Sequence, residues 1–204
     1  VLRVVSAGFV ECLPSPGVED GDINVAVTVH PVVSLPGTPA TALATSIPVA
    51  VVDAIAGIDH HAFDIDPDAS DTAAFSDRYG WPGDRCANTI VVAGKRGDAV
   101  TYAACVVLAS CRLDVNRAVK KTLDVRKASF AAAGEATSRT GMEFGAVTPF
   151  GLPADWPILV DHRVVATEVV VVGAGARAAK LVVAGSAIAT LPTARVITDL
   201  GLPR

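Results

Sequence analysis

The most apolar stretch of the chain, Val164–Ile188, is broken by three charges, Glu168, Arg177 and Lys180. A membrane-spanning helix needs roughly 18–20 consecutive apolar residues, and this stretch does not supply them, so neither a membrane span nor a membrane partner is expected. The apolar half of the sequence (51%) must instead close a core in water, and with aromatics at only 5% that core is built from Val, Ala, Ile and Leu. A length of 204 residues fits one domain with a short appendage. Near the start, Arg3 is followed by Glu11, which does not read as a secretory signal, and a cytoplasmic protein is expected.

The four cysteines, Cys12, Cys86, Cys105 and Cys111, form no C-x-x-C pair. Tetrahedral zinc takes its ligands in close pairs, so no metal is expected and the thiols are read as reduced. Cys105 lies in the apolar run Ala103–Ala109, where it packs as a small hydrophobe. Charge is unevenly divided. Residues 1–77 hold eleven acidic residues against Arg3 alone, whereas residues 78–204 hold sixteen basic and ten acidic. Arg112–Lys127 concentrates Arg112, Arg117, Lys120, Lys121, Arg126 and Lys127, which suits either phosphate contact or a solvated helix face.

Six of the thirteen prolines fall within residues 1–48. Residues 1–45 therefore read as a Pro-rich N-terminal extension containing one strand at Val25–Val29, and residues 46–204 as the domain proper. Ser46 and Pro48 open a helix over Val49–Ala56, and Asp71–Tyr79 makes a second, stopped by Gly80. Strands are expected at Ile58–Ile65, Thr89–Ala93, Val100–Ala109, Pro157–Val160, Val164–Val172 and Lys180–Val183. Asp114 caps a helix with Val115, Val119 and Leu123 on one face, and another runs near Ala131–Arg139 to Gly141. Helices and strands do not alternate regularly, so the class is α+β around a mixed, mostly antiparallel sheet.

Several constellations could carry chemistry. Gly145–Gly151 is a turn-rich loop whose free N–H groups suit an anion or oxyanion, or it simply joins a helix to a strand. The loop Gly173-Ala-Gly175-Ala-Arg177 precedes a strand, which excludes a dinucleotide site. Asp161 ends an apolar strand, as a site carboxylate or a structural cap. His60 and His61 are adjacent and point to opposite strand faces, which prevents chelation as a pair. Ser129 has no nucleophile elbow around it, so serine hydrolysis is excluded.

Taken in order, Arg85-Cys-Ala-Asn-Thr-Ile-Val-Val-Ala, Tyr102–Leu108, Arg126-Lys-Ala-Ser-Phe-Ala, Gly141-Met-Glu-Phe-Gly-Ala-Val-Thr-Pro-Phe-Gly-Leu-Pro and Pro157-Ile-Leu-Val-Asp resemble the YbaK/ProX aminoacyl-tRNA editing family. Its members are free-standing deacylases similar to the editing domain of bacterial prolyl-tRNA synthetases. The resemblance covers residues 47–204 and implies a barrel-like sheet surrounded by helices. It also implies hydrolysis of the ester of a misacylated tRNA, assisted by the 2′-hydroxyl of the terminal adenosine. The implied partners are aminoacyl-tRNA and an aminoacyl-tRNA synthetase, with no cofactor and no DNA. By the same resemblance Asn88, Gly145 and Asp161 are catalytic, while Thr148, Pro149, Phe150, Gly173 and Arg177 bind substrate. Arg117, Lys120, Lys121 and Lys127 would meet tRNA. Two positions depart from the family: Asn88 stands where a lysine is expected, and Gly173 where a serine is expected. These departures imply either a shifted specificity or a binding module without activity. Lys127, Arg177 and Lys180 are the cations available to replace the missing lysine.

Overall fold

The computed structural model describes residues 2–5, 9–12 and 47–204. The chain divides into two units, Val1–Thr38 and Pro39–Arg204. In the first, β1 (Leu2–Val5) and β2 (Phe9–Cys12) pair antiparallel, from Leu2 opposite Cys12 to Val5 opposite Phe9. The strand expected at Val25–Val29 and the cap at Ser46 lie outside the described residues.

The second unit opens with α1 (Val49–Ile55) and β3 (His60–Asp64). A 3-10 turn, Pro67–Ala69, leads to α2 (Thr72–Tyr79). The Asp71 carboxylate fixes the start of α2 by accepting from the N–H groups of Ala73 and Ala74, each at 3.0 Å, and left-handed Gly80 ends it. Then come β4 (Ala87–Arg96), β5 (Ala99–Leu108) and β6 (Cys111–Leu113). The β4–β5 hairpin turns on Gly97-Asp98, with glycine at φ +60° where a two-residue turn requires it.

Beyond β6, a π-helical turn (Val115–Val119) runs into α3 (Lys120–Leu123). β7 (Lys127–Phe130), α4 (Ala133–Thr140), β8 (Ile158–Asp161) and α5 (His162–Ala166) follow. The chain finishes with β9 (Val170–Gly173), β10 (Ala179–Val183), α6 (Gly185–Ile188), β11 (Ala194–Ile197) and β12 (Gly201–Pro203). No helix among the described residues is long and apolar enough to cross a membrane.

The main sheet has the order β11-β8-β5-β4-β7; β5–β8 and β8–β11 are parallel, and the other pairs antiparallel. A second sheet, β3-β10-β9, is antiparallel throughout, and β6 pairs with β12. The α+β class is therefore observed, but no sheet among the described residues closes, which corrects the barrel-like expectation. The two larger sheets instead share one apolar core, and a parallel bridge between Cys86 and Val171 joins the start of β4 to β9. Central β5 shows why its sequence is a continuous apolar run. Val106 and Leu108 enter the core shared with α1, α5 and the second sheet, whereas Ala103, Cys105 and Val107 enter a smaller core with Val119 and Leu200.

One expected strand, Val164–Val172, is divided. Asp161 accepts from the Arg163 N–H at 2.9 Å and caps α5. The cap outweighs the strand preference of Val164 and Val165, and only Val170–Gly173 remains extended.

Candidate active site

A cavity of about 290 Å³ lies where the two larger sheets, α2 and the loop after α4 converge. Asn88, the second residue of β4, contributes its amide. The Thr72 hydroxyl, on the first residue of α2, donates to Asn88 Oδ1 at 2.6 Å. With its carbonyl engaged, the Asn88 side chain keeps its Nδ2 donors for a ligand.

Lys180 enters the same cavity from β10 and is only 6% exposed. Its Nζ donates to the Ser70 carbonyl at 2.7 Å and lies 5.3 Å from the centre of the Phe75 ring. Burial pulls its ammonium below the usual lysine range, and the neighbouring Asp71 carboxylate opposes that shift. The hydroxyls of Ser70 and Thr89 have no hydrogen-bond partner among the described residues. Cys86 also lines the cavity, but burial pushes its thiol up to about 11, so at neutral pH it is protonated and a poor nucleophile.

The third wall is backbone. Gly145 sits at φ +84°, and its N–H donates to no acceptor among the described residues. At Gly173, a Cβ would fall 2.4 Å from the Ala146 carbonyl oxygen and 2.5 Å from that of Val147. The glycine therefore lets β9 press against the 145–147 segment, and a serine there would displace the loop.

Of the residues expected from the sequence, Asn88, Gly145 and Gly173 meet at this cavity. Thr148, Pro149 and Phe150 are buried beneath the loop, with Phe150 fully enclosed in the main core. Arg177 braces the loop from behind: its guanidinium donates to the carbonyls of Pro67, at 2.7 Å, and Phe144, while its N–H meets the Glu143 carboxylate. Asp161 lies elsewhere. Its carboxylate, 1% exposed, accepts from Gly201 N at 2.6 Å and pairs with Arg163, which also reaches Asp199. The catalytic expectation for Asp161 thus meets a carboxylate already saturated, because the strand-end cap and the C-terminal β12 both use it.

Sequence reasoning listed Lys180 among possible cations without placing it, and it missed Thr72 and Ser70. The start of α2 at Asp71-Thr72 was the available signal. Arg117, Lys121 and Lys127 are exposed and Lys120 half-buried, and none of the four is in an ion pair among the described residues.

Fold and cavity together define an α+β domain with a largely apolar pocket, on the scale of a small ligand, into which a few polar groups converge. A family model, the aminoacyl-tRNA editing domain, matches residues 66–191, more than half of the chain, and the protein belongs to this YbaK/ProX-like family. Among solved structures, a crystal structure of a hypothetical protein, APE2540, is similar at 22% identity and a TM-score of 0.67, covering 75% of this chain and 99% of its own. A candidate trans-editing enzyme for prolyl-tRNA synthetase is similar at 17% identity and a TM-score of 0.62, covering 73% and 93%. No curated protein sequence matches the chain.

Proposed function

We propose that this protein hydrolyses the ester joining an amino acid to the 3′ end of a misacylated tRNA, acting in trans. The observation that carries the reading is the convergence of the Asn88 amide, the buried Lys180 ammonium and the Gly145 backbone on one cavity within an editing-family domain.

The chemistry asks little of the protein. Water adds to the ester carbonyl, the bond to the ribose oxygen breaks, and a free amino acid and a free hydroxyl result. Such a reaction needs a positioned water, donors aimed at the developing oxyanion and a pocket sized to the side chain. Backbone donors at Gly145 face the oxyanion. Lys180 supplies from β10 the positive charge that Asn88 lacks on β4, and Asn88 orients the acyl group through Nδ2. Discrimination by a second, hydrolytic pocket corrects small or isosteric side chains that binding alone rejects poorly. Arg117, Lys120, Lys121 and Lys127 offer unpaired charge to the tRNA backbone.

The test is deacylation of a panel of misacylated tRNAs, with alanyl-, cysteinyl- and seryl-tRNA-Pro among them. Turnover above spontaneous hydrolysis, lost in Lys180→Met, supports the reading. No turnover with tRNA still bound would mark a binding module instead, which is the reading the missing family lysine favours.

A further inference from the structure

Five large hydrophobic side chains are exposed among the described residues, and two of them, Phe130 (60%) and Phe144 (67%), line the same cavity. They arrive from separate elements. Phe130 ends β7, the free edge of the main sheet, and Phe144 sits in the turn immediately before Gly145. Neither belongs to either apolar core. An exposed aromatic on an edge strand invites non-specific pairing, so leaving one there has a cost that a ligand would offset.

The surroundings indicate which ligand. Lys127 begins β7, three residues before Phe130, and Arg126 precedes it. Both are exposed and in no ion pair among the described residues. The edge strand therefore runs from unpaired cations to aromatic rings at the cavity. Rings that accept a base and cations that neutralise a phosphate are together the chemistry that holds single-stranded nucleic acid.

We propose that Phe130 and Phe144 form a stacking subsite for the terminal adenine of the acylated tRNA, with Lys127 and Arg126 meeting the phosphate on its 5′ side. The inference rests on the deacylase reading above. With the acyl group among Asn88, Gly145 and Lys180, the ribose lies at the mouth of the cavity. The base, one bond from that ribose, then falls on the rim that the two rings occupy. The subsite reads the nucleotide and leaves the amino acid to the interior.

The test uses the full chain, tRNA carrying 2-aminopurine at its 3′ terminus, and the variants Phe130→Leu, Phe144→Leu, the double variant and Phe130→Tyr. Leucine keeps an apolar side chain and removes the π face. Stacking predicts that the wild type quenches 2-aminopurine emission and that the double variant does not. It also predicts that each leucine raises KM for aminoacyl-tRNA on the order of ten-fold with kcat little changed, while Phe130→Tyr behaves as wild type. Wild-type deacylation without quenching, or an unchanged KM in the double variant, would overturn the subsite and leave the deacylase standing. Failure of the wild type both to bind tRNA and to hydrolyse any ester in the panel would overturn the deacylase reading, and the subsite with it.

Discussion

Two polar clusters sit in this domain, and they are built on opposite rules. Around Asp161 nearly every group is engaged: the carboxylate caps α5, receives the Gly201 N–H and pairs with Arg163, whose Nη1 also donates to the Gly201 carbonyl at 3.0 Å. Around Asn88 and Lys180 each side chain makes one hydrogen bond among the described residues, and the Ser70 and Thr89 hydroxyls make none. Buried polar groups without partners are costly. A saturated cluster holds the chain together, whereas donors left unused around an open cavity await something else. The same residue type at a strand end can serve either purpose, and the partners decide.

Removing Asp161 should produce the largest effect on stability. Asp161→Ala removes the α5 cap and leaves the buried Gly201 N–H without its acceptor, changes that cost about 1 and about 1–3 kcal/mol respectively. For a chain of this size that lowers Tm on the order of 10 °C, while turnover per folded molecule stays near wild type. Thermal denaturation beside a deacylation assay at low temperature checks both. A stable but inactive Asp161→Ala would reverse the assignment of the two clusters.

Lys180→Met should do the converse. Removing one charged donor from the oxyanion site costs about 100-fold in kcat. Tm moves little, because relief of a buried charge offsets the Ser70 carbonyl left unpaired. The pH dependence sharpens this. Burial lowers the Lys180 pKa below the ordinary 10.5, so its charge is fully present only below the folded value. The wild-type rate, corrected for alkaline hydrolysis of the ester, should fall as pH rises through that value. Stability runs the other way, rising with pH between the folded and unfolded pKa values, because there the unfolded chain binds the extra proton.

How far this contrast could be read from the sequence depended on distance along the chain. Local signals carried well: the Asp71 cap and Gly80 bound α2, Gly141 ends α4 in the left-handed conformation, and the apolar run of β5 is buried on both faces. Asn88, Gly145 and Gly173 were identified through the family resemblance and do share a cavity. For Asp161 the sequence left cap and site carboxylate open, because the two look alike at a strand end and its partner Gly201 lies forty residues away. Lys180 could not be placed because its strand belongs to a different sheet from Asn88. The three-residue strands β6 and β12 carry too little pattern to be seen before they pair.

Asn88→Ala tests the cavity cluster more gently. The variant removes the Nδ2 donor and leaves the Thr72 hydroxyl without its acceptor, and a neutral donor contributes less than a charged one. A roughly ten-fold loss of kcat/KM is expected, with Asn88→Lys recovering activity only if a second ammonium is tolerated beside Lys180. Steady-state kinetics on the preferred misacylated tRNA decides. Failure of Asn88→Lys with an intact fold would mean that the cation has moved between sheets and cannot be doubled.

The smallest effect at physiological salt belongs to the α3 charges, exposed Lys121 and half-buried Lys120, which make no ion pair among the described residues. Lys120→Glu with Lys121→Glu lies on α3, away from both clusters, and should leave Tm and the chemical step unchanged. If both lysines neutralise phosphates, affinity for tRNA falls several-fold. The slope of log affinity against log salt then becomes shallower by about 1.4 to 1.8, the value for two lost contacts. Titrating tRNA binding over a range of salt separates this from a local structural change, which would alter affinity without altering the slope. An unchanged slope would remove α3 from the tRNA path and leave β7 as the basic track towards the cavity.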